Sequence, residues 1–171
     1  WVRQVTAAIF PSRTLFLVAS KSGGTIEVMS LFAHFWKLVT KAKGNHGGRQ
    51  FVAITDPGTG LEKMAQDYGF GQIFSNPADI GGRYSVLSLF GLVPAALLGL
   101  DITRLLDRAA GMAERCRQQE DTKANPGAYL GAVMGSLAKT GRDKVTVITS
   151  PALAAFGLWV EQLLAESTGK E

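Results

Sequence analysis

Four short apolar runs, separated by segments with helical periodicity, restrict this chain more than any other feature of its sequence. They occupy residues 14–19, 51–55, 72–75 and 144–149. Each is continuously apolar rather than alternating, the pattern of parallel strands covered on both faces. Between them, Phe32, Phe35, Trp36 and Val39 follow i, i+3, i+4, i+7 spacing and make one apolar helix face. Ile102, Leu105, Leu106, Ala109 and Ala110 repeat the pattern, with Asp101 as an N-cap. Pro151 is expected to open the last helix from its first turn. A helix-like stretch over residues 2–10 precedes the first run.

Strand–helix alternation predicts an α/β fold, a three-layer αβα sandwich with a mostly parallel sheet. The chain has 171 residues, the length of a single domain, and its 46% apolar content can fill a core. Ligands of such sheets sit beyond the carboxyl ends of the strands. The segments to inspect are therefore those after Ala19, Thr55, Ser75 and Thr149.

Several classes of function are disfavoured. The net charge is +4, but Lys and Arg are scattered rather than grouped, so no nucleic-acid-binding face is expected. A mild positive balance suits an anionic small substrate. Cys116 is the single cysteine, which leaves no disulfide framework or multi-cysteine metal site and fits a reducing, cytoplasmic setting. The apolar stretch over residues 86–100 is interrupted by Gly91, Pro94 and Gly99 and is short for a membrane span. No signal peptide is visible. Neither a G-x-G-x-x-G after a strand nor a P-loop occurs, so NAD and ATP are not expected ligands.

The turn after the first run, Ser20-Lys21-Ser22-Gly23-Gly24-Thr25, has the chemistry of a phosphate-ester site. Two glycines let the backbone approach an anion, and successive N–H groups can form a nest. A helix beginning near Thr25 adds N–H donors and a positive dipole end. Ser20, Ser22 and Thr25 add hydroxyls, and a hydrogen bond to a charged group is worth roughly 1.5–3 kcal/mol. By local composition alone, an ordinary βα turn with a Ser or Thr N-cap explains the segment equally well.

Three blocks carry a resemblance. The run Val18-Ala19-Ser20-Lys21-Ser22-Gly23-Gly24-Thr25-Ile26-Glu27 resembles the phosphate loop of the sugar isomerase (SIS) domain. Gly81-Gly82-Arg83-Tyr84-Ser85-Val86, followed by Gly91-Leu92, resembles a signature of phosphoglucose isomerases, and residues 162–170 resemble a third block of that family. The blocks stand in the family's order. The connecting text, including residues 51–59, is most similar to the isomerase half of bifunctional transaldolase/phosphoglucose isomerase chains, although no transaldolase portion is present.

The resemblance implies a flavodoxin-like SIS domain over residues 1–171 and interconversion of glucose 6-phosphate and fructose 6-phosphate, in glycolysis and gluconeogenesis, without metal or organic cofactor. It implies that Ser20, Lys21, Ser22 and Thr25 bind the phosphate, Arg83 stands beside the sugar carbons and Glu166 is the catalytic base. Relatives often carry Thr at positions 22 and 24, so Gly24 removes one hydroxyl. It also implies a fragment of a longer, homodimeric protein. A glycine- and serine-rich strand–loop would precede Trp1, and the ring-opening histidine and a catalytic lysine would follow Glu171. On that basis the isolated segment is expected to be inactive.

Each residue has a plainer reading. Arg83 could pair with Asp79 on the surface, and Glu166 could be a solvated residue of a last helical turn. Lys21 is expected to act through its backbone, with little work for its ammonium. Glu27 reads as an exposed helix residue, His34 as structural, His46 as solvated, Asp56 as a turn cap and Cys116 as a helix residue. A non-catalytic SIS module that senses a phosphosugar is the alternative function. An isomerase that also takes mannose 6-phosphate is a third.

Overall fold

The structure, a computed structural model, describes residues 1–118 and 123–169. By its internal contacts the chain divides into two compact units, Trp1–Leu100 and Asp101–Glu171.

The first unit is α/β. Its elements run α1 (Val2–Ala8), β1 (Phe16–Ala19), α2 (Ile26–Lys43), β2 (Phe51–Thr55), α3 (Gly60–Asp67), β3 (Gln72–Ser75) and α4 (Leu89–Leu97). Short 3-10 turns cover Pro11–Arg13, Gly44–Gln50 and Gly82–Leu87. The sheet is parallel in the order β1-β2-β3, with Phe16 opposite Phe51, Ala19 opposite Ile54, Val52 opposite Gln72 and Thr55 opposite Ser75. All five residues of the central strand β2 are buried, which is why its sequence reads as an unbroken apolar run. The first strand is two residues shorter at its start than the apolar run suggests.

The core forms where the predicted stripe of α2 meets the sheet. Phe32, Phe35 and Val39 are buried against Val18, Phe51, Ala53, Leu61 and Ala65, with Trp36 packed at the margin. Phe51 stacks on Phe16 with ring centroids 5.0 Å apart and takes Phe32 edge-on at 5.5 Å. Burying each such ring stabilises the fold by roughly 1.5–3 kcal/mol. α3 begins with a variant of the capping box: Thr59 Oγ1, on the N-cap residue, accepts from Glu62 N at 3.3 Å, while the Glu62 carboxylate reaches one residue past the N-cap and accepts from Gly58 N at 2.7 Å.

The second unit contains α5 (Ile102–Cys116), α6 (Pro126–Lys139), a 3-10 turn at Pro151–Leu153 and α7 (Phe156–Thr168). Asp101 caps α5 as expected, its Oδ1 accepting from Arg104 N at 2.9 Å. Asn125 caps α6 and also donates from Nδ2 to Cys116 O at 2.7 Å, tying the end of α5 to the start of α6. Two expectations fail here. Residues 144–149 do not form a fourth strand; Val145, Val147 and Ile148 are exposed, Ile148 at 91%. β-Branched residues favour extended backbone, but a strand needs a neighbour's N–H and C=O groups, and among its described residues this unit has no strand to supply them. Pro151 opens the short 3-10 turn rather than α7, which begins five residues later.

Candidate functional site

The carboxyl ends of the three strands converge on a polar cluster built from backbone and side chains of three connections. Ser20, Asp56 and Asn76 immediately follow β1, β2 and β3. Ser20 N donates to Ile54 O at 3.0 Å and Asn76 N to Thr55 O at 2.8 Å, which extends the sheet ladder one step past each strand. The backbone of the first turn is therefore aligned by the sheet itself.

Within that turn Ser20 is buried and its Oγ lies 3.0 Å from Thr25 Oγ1. Thr25 is the N-cap residue of α2, yet its hydroxyl makes no capping bond to the helix. It faces Ser20 instead, which leaves the positive end of an 18-residue helix without a side-chain cap. Ser22 and Thr25 are exposed, and Ser22 Oγ accepts a long 3.4 Å bond from Gly24 N. Gly23 is buried, has φ +71°, and a Cβ there would lie 2.8 Å from Thr59 Cβ and 2.9 Å from Leu61 N. Only glycine lets the turn lie this close to the start of α3. Backbone amides, two exposed hydroxyls and a helix N-terminus can together hold an anion.

The Lys21 ammonium is not idle, contrary to expectation. It forms an ion pair with Asp56 Oδ2 and donates to Ala78 O at 3.0 Å. Asp56 correspondingly does not cap a turn. Its N donates to Lys21 O at 3.4 Å, and its Oδ1 is buried with no hydrogen-bond partner among the described residues.

Arg83 lies in the 3-10 turn Gly82–Leu87, on the connection that leaves β3 at the same end of the sheet, and is half-buried. That connection is braced at its base. Asn76 is fully buried; its Oδ1 accepts from Leu89 N at 3.2 Å and its Nδ2 donates to Pro77 O at 3.0 Å. Ser88 Oγ donates to Ser85 O at 2.6 Å and caps α4 by accepting from Phe90 N. A Cβ on Gly91 would fall 1.9 Å from Val86 O, so the glycine of the Gly91-Leu92 pair lets α4 seat on this turn.

Glu166 belongs to the second unit, exposed on α7, where Oε1 accepts from Gln162 Nε2 at 3.1 Å. Lys170, the last residue of the third sequence block, lies outside the described residues. The structure thus brings Ser20, Lys21, Ser22 and Thr25 together and sends the Arg83 connection from the same sheet end. His34 bonds Thr6 Oγ1 through Nε2 at 3.0 Å and its ring meets Phe35 edge-on. Glu27, His46 and Cys116 are exposed. A cavity of about 310 Å³ opens beside β1 and α2, lined by residues such as Phe16, Val18, Val28, Leu31 and Phe35, and its apolar walls do not suit a phosphate.

Sequence reasoning missed Asp56, Glu62 and Asn76 as organisers of this region. Thr59-x-x-Glu62 carries the capping-box spacing and was legible. Asn76 and the Lys21–Asp56 pair, 35 residues apart in sequence, leave no local signal.

The family model for phosphoglucose isomerase matches residues 2–171. Glucose-6-phosphate isomerase of Carboxydothermus hydrogenoformans is 35% identical over 164 residues, 95% of this chain and 35% of that protein. The enzyme of the same name from Rubrobacter xylanophilus is 38% identical over 167 residues, 95% of this chain and 38% of that protein. A crystal structure of a glucose-6-phosphate isomerase from Chlamydia trachomatis superposes with a TM-score of 0.79 at 25% identity, covering 96% of this chain and 32% of that one. The chain spans about a third of the length of the relatives it matches.

Proposed function

The chain belongs to the phosphoglucose isomerase family, and from that premise we propose that the protein interconverts glucose 6-phosphate and fructose 6-phosphate through a cis-enediol. The observation that carries this reading is the polar sheet end, where the 20–25 turn leaves β1 and the Arg83 connection leaves β3, on either side of the central strand β2. In this reading Ser20, Lys21, Ser22 and Thr25 form the turn that holds the phosphate, with hydroxyls and amides as donors. The phosphate does not react; its binding energy holds C1 and C2 in position.

Moving a proton between adjacent carbons needs one carboxylate, which takes it from C2 and returns it to C1. Glu166 is assigned that role. Negative charge develops on the former carbonyl oxygen, and the Arg83 guanidinium stabilises it without changing its own protonation. A non-catalytic phosphosugar sensor would need the Ser/Thr turn but neither Gly81-Gly82-Arg83 nor the Glu166 block, and both are present.

On the family resemblance the protein is further proposed to treat residues 1–171 as one sugar isomerase domain, to act as a cytoplasmic homodimer in glycolysis and gluconeogenesis, and to need no cofactor. Ring opening is assigned to groups outside these residues, so residues 1–171 alone should show no turnover. The test is E166Q in the full-length protein, assayed with glucose 6-phosphate and a coupled readout of fructose 6-phosphate. It should lower kcat by ~10²–10⁴-fold with little change in KM. Normal kcat in E166Q would move the base elsewhere.

A further inference from the structure

We propose that Lys21 is a positioning residue: its ammonium joins the anion-holding turn to the connection that carries Arg83. The inference rests on the function proposed above and concerns how its two halves are held in register. Three connections meet at this one ammonium. Lys21 belongs to the turn after β1, Asp56 to the connection after β2, and Ala78, whose carbonyl it also engages, to the connection after β3.

An ammonium has three donor protons and no acceptor, and two of its partners are already fixed within the protein. Both members of the ion pair are largely withdrawn from solvent, at 30% and 14% side-chain exposure, so salt screens the pair less than an exposed one. The backbone repeats the link through Asp56 N to Lys21 O. The Arg83 connection is anchored at its base by Asn76, whose side chain spans from Pro77 O to Leu89 N. Lys21 adds a tie on its outgoing arm, five residues before Arg83. Arg83 can stabilise developing charge only if it stands at a fixed distance from the carbons that the turn positions, and a misplacement of about 1 Å can cost ~10²-fold in rate. A tie between turn and connection supplies that fixed distance.

The pair also predicts an asymmetry. Asp56 Oδ1 is buried and without a partner among the described residues, so removing Lys21 strands a buried carboxylate, whereas removing the carboxylate leaves an ammonium that is about twice as exposed and still engages Ala78 O. K21M should therefore be more damaging than D56N, and the K21M/D56N double variant less damaging than K21M alone. K21R, which keeps a cation that can meet both partners, should recover most of the loss.

The experiment uses K21M, K21R, D56N and the double variant of the full-length protein, with two readouts. Amide hydrogen exchange over residues 78–86 reports the tie directly and needs no activity; exchange should quicken in K21M and D56N and return towards wild type in K21R. Steady-state kinetics with glucose 6-phosphate should show kcat lower by ~10-fold or more in K21M and D56N, a larger factor than any rise in KM. If K21M raises only KM while exchange over 78–86 is unchanged, the ammonium is a plain phosphate ligand and the proposal falls. Wild-type exchange and kcat in D56N would overturn it equally. Should the wild-type protein lack isomerase turnover, the proposed function fails and hydrogen exchange alone still decides the tie.

Discussion

The close approach of Gly23 to the start of α3 makes G23A the most informative perturbation of the anion-holding turn. Two costs act together. Gly23 has φ +71°, where an L side chain is strained by roughly 1–2 kcal/mol. The new methyl would also lie 2.8 Å from Thr59 Cβ and 2.9 Å from Leu61 N. The second neighbour is backbone in the first turn of α3, and Leu61 is fully buried, so neither retreats cheaply. Forcing a methyl into such space costs about 1–3 kcal/mol. A combined loss of roughly 2–5 kcal/mol is a large part of the ~5–15 kcal/mol that holds a domain together. Equilibrium urea unfolding reads it. With a slope of about 1–3 kcal/mol/M, the midpoint should fall by on the order of 1–2 M. G24A is the internal control. It has ordinary backbone dihedrals and no heavy atom within 4 Å of its Cβ position, so its stability should stay within about 0.5 kcal/mol of wild type. If G23A behaved like G24A, the turn would not be clamped against α3, and the sheet end would not pre-shape an anion site.

Further outcomes test the braces around that turn. T59A removes the N-cap acceptor of Glu62 N and the 2.7 Å bond to Thr55 Oγ1 inside a part-buried cluster; it should cost ~1–2 kcal/mol in urea unfolding. N76A empties a fully buried position and takes the side-chain acceptor from Leu89 N, and should cost roughly 1–3 kcal/mol. It should also lower kcat in the glucose 6-phosphate assay, because the Arg83 connection loses the side chain that closes its base. Stability unchanged by N76A would show that Ser85 and Ser88 suffice to brace that connection.

Local pattern was enough for much of the first unit. An unbroken apolar run is what a strand covered on both faces requires, and β2 is buried along its whole length. The i, i+3, i+4, i+7 spacing of Phe32, Phe35, Trp36 and Val39 became the face of α2 that meets the sheet. Glycines and hydroxyls in the 20–25 segment were legible as a turn because their conformational freedom and donors are properties of the residues themselves. The Gly91-Leu92 pair was legible as a motif, but its reason, a helix seated against Val86 O, exists only in the tertiary structure.

What the residues determined on their own is the material: strands and helices in alternation, an anion-friendly turn, an arginine and a glutamate in recognisable settings. Tertiary structure decided the partnerships. It gave Lys21 an acid and a carbonyl from two other connections, made Asn76 a buried brace, and left residues 144–149 without strand pairing. The physical reason is common to all three. Periodicity and propensity are local quantities, whereas an ion pair or a β-ladder exists only when segments distant in sequence are brought within hydrogen-bonding reach.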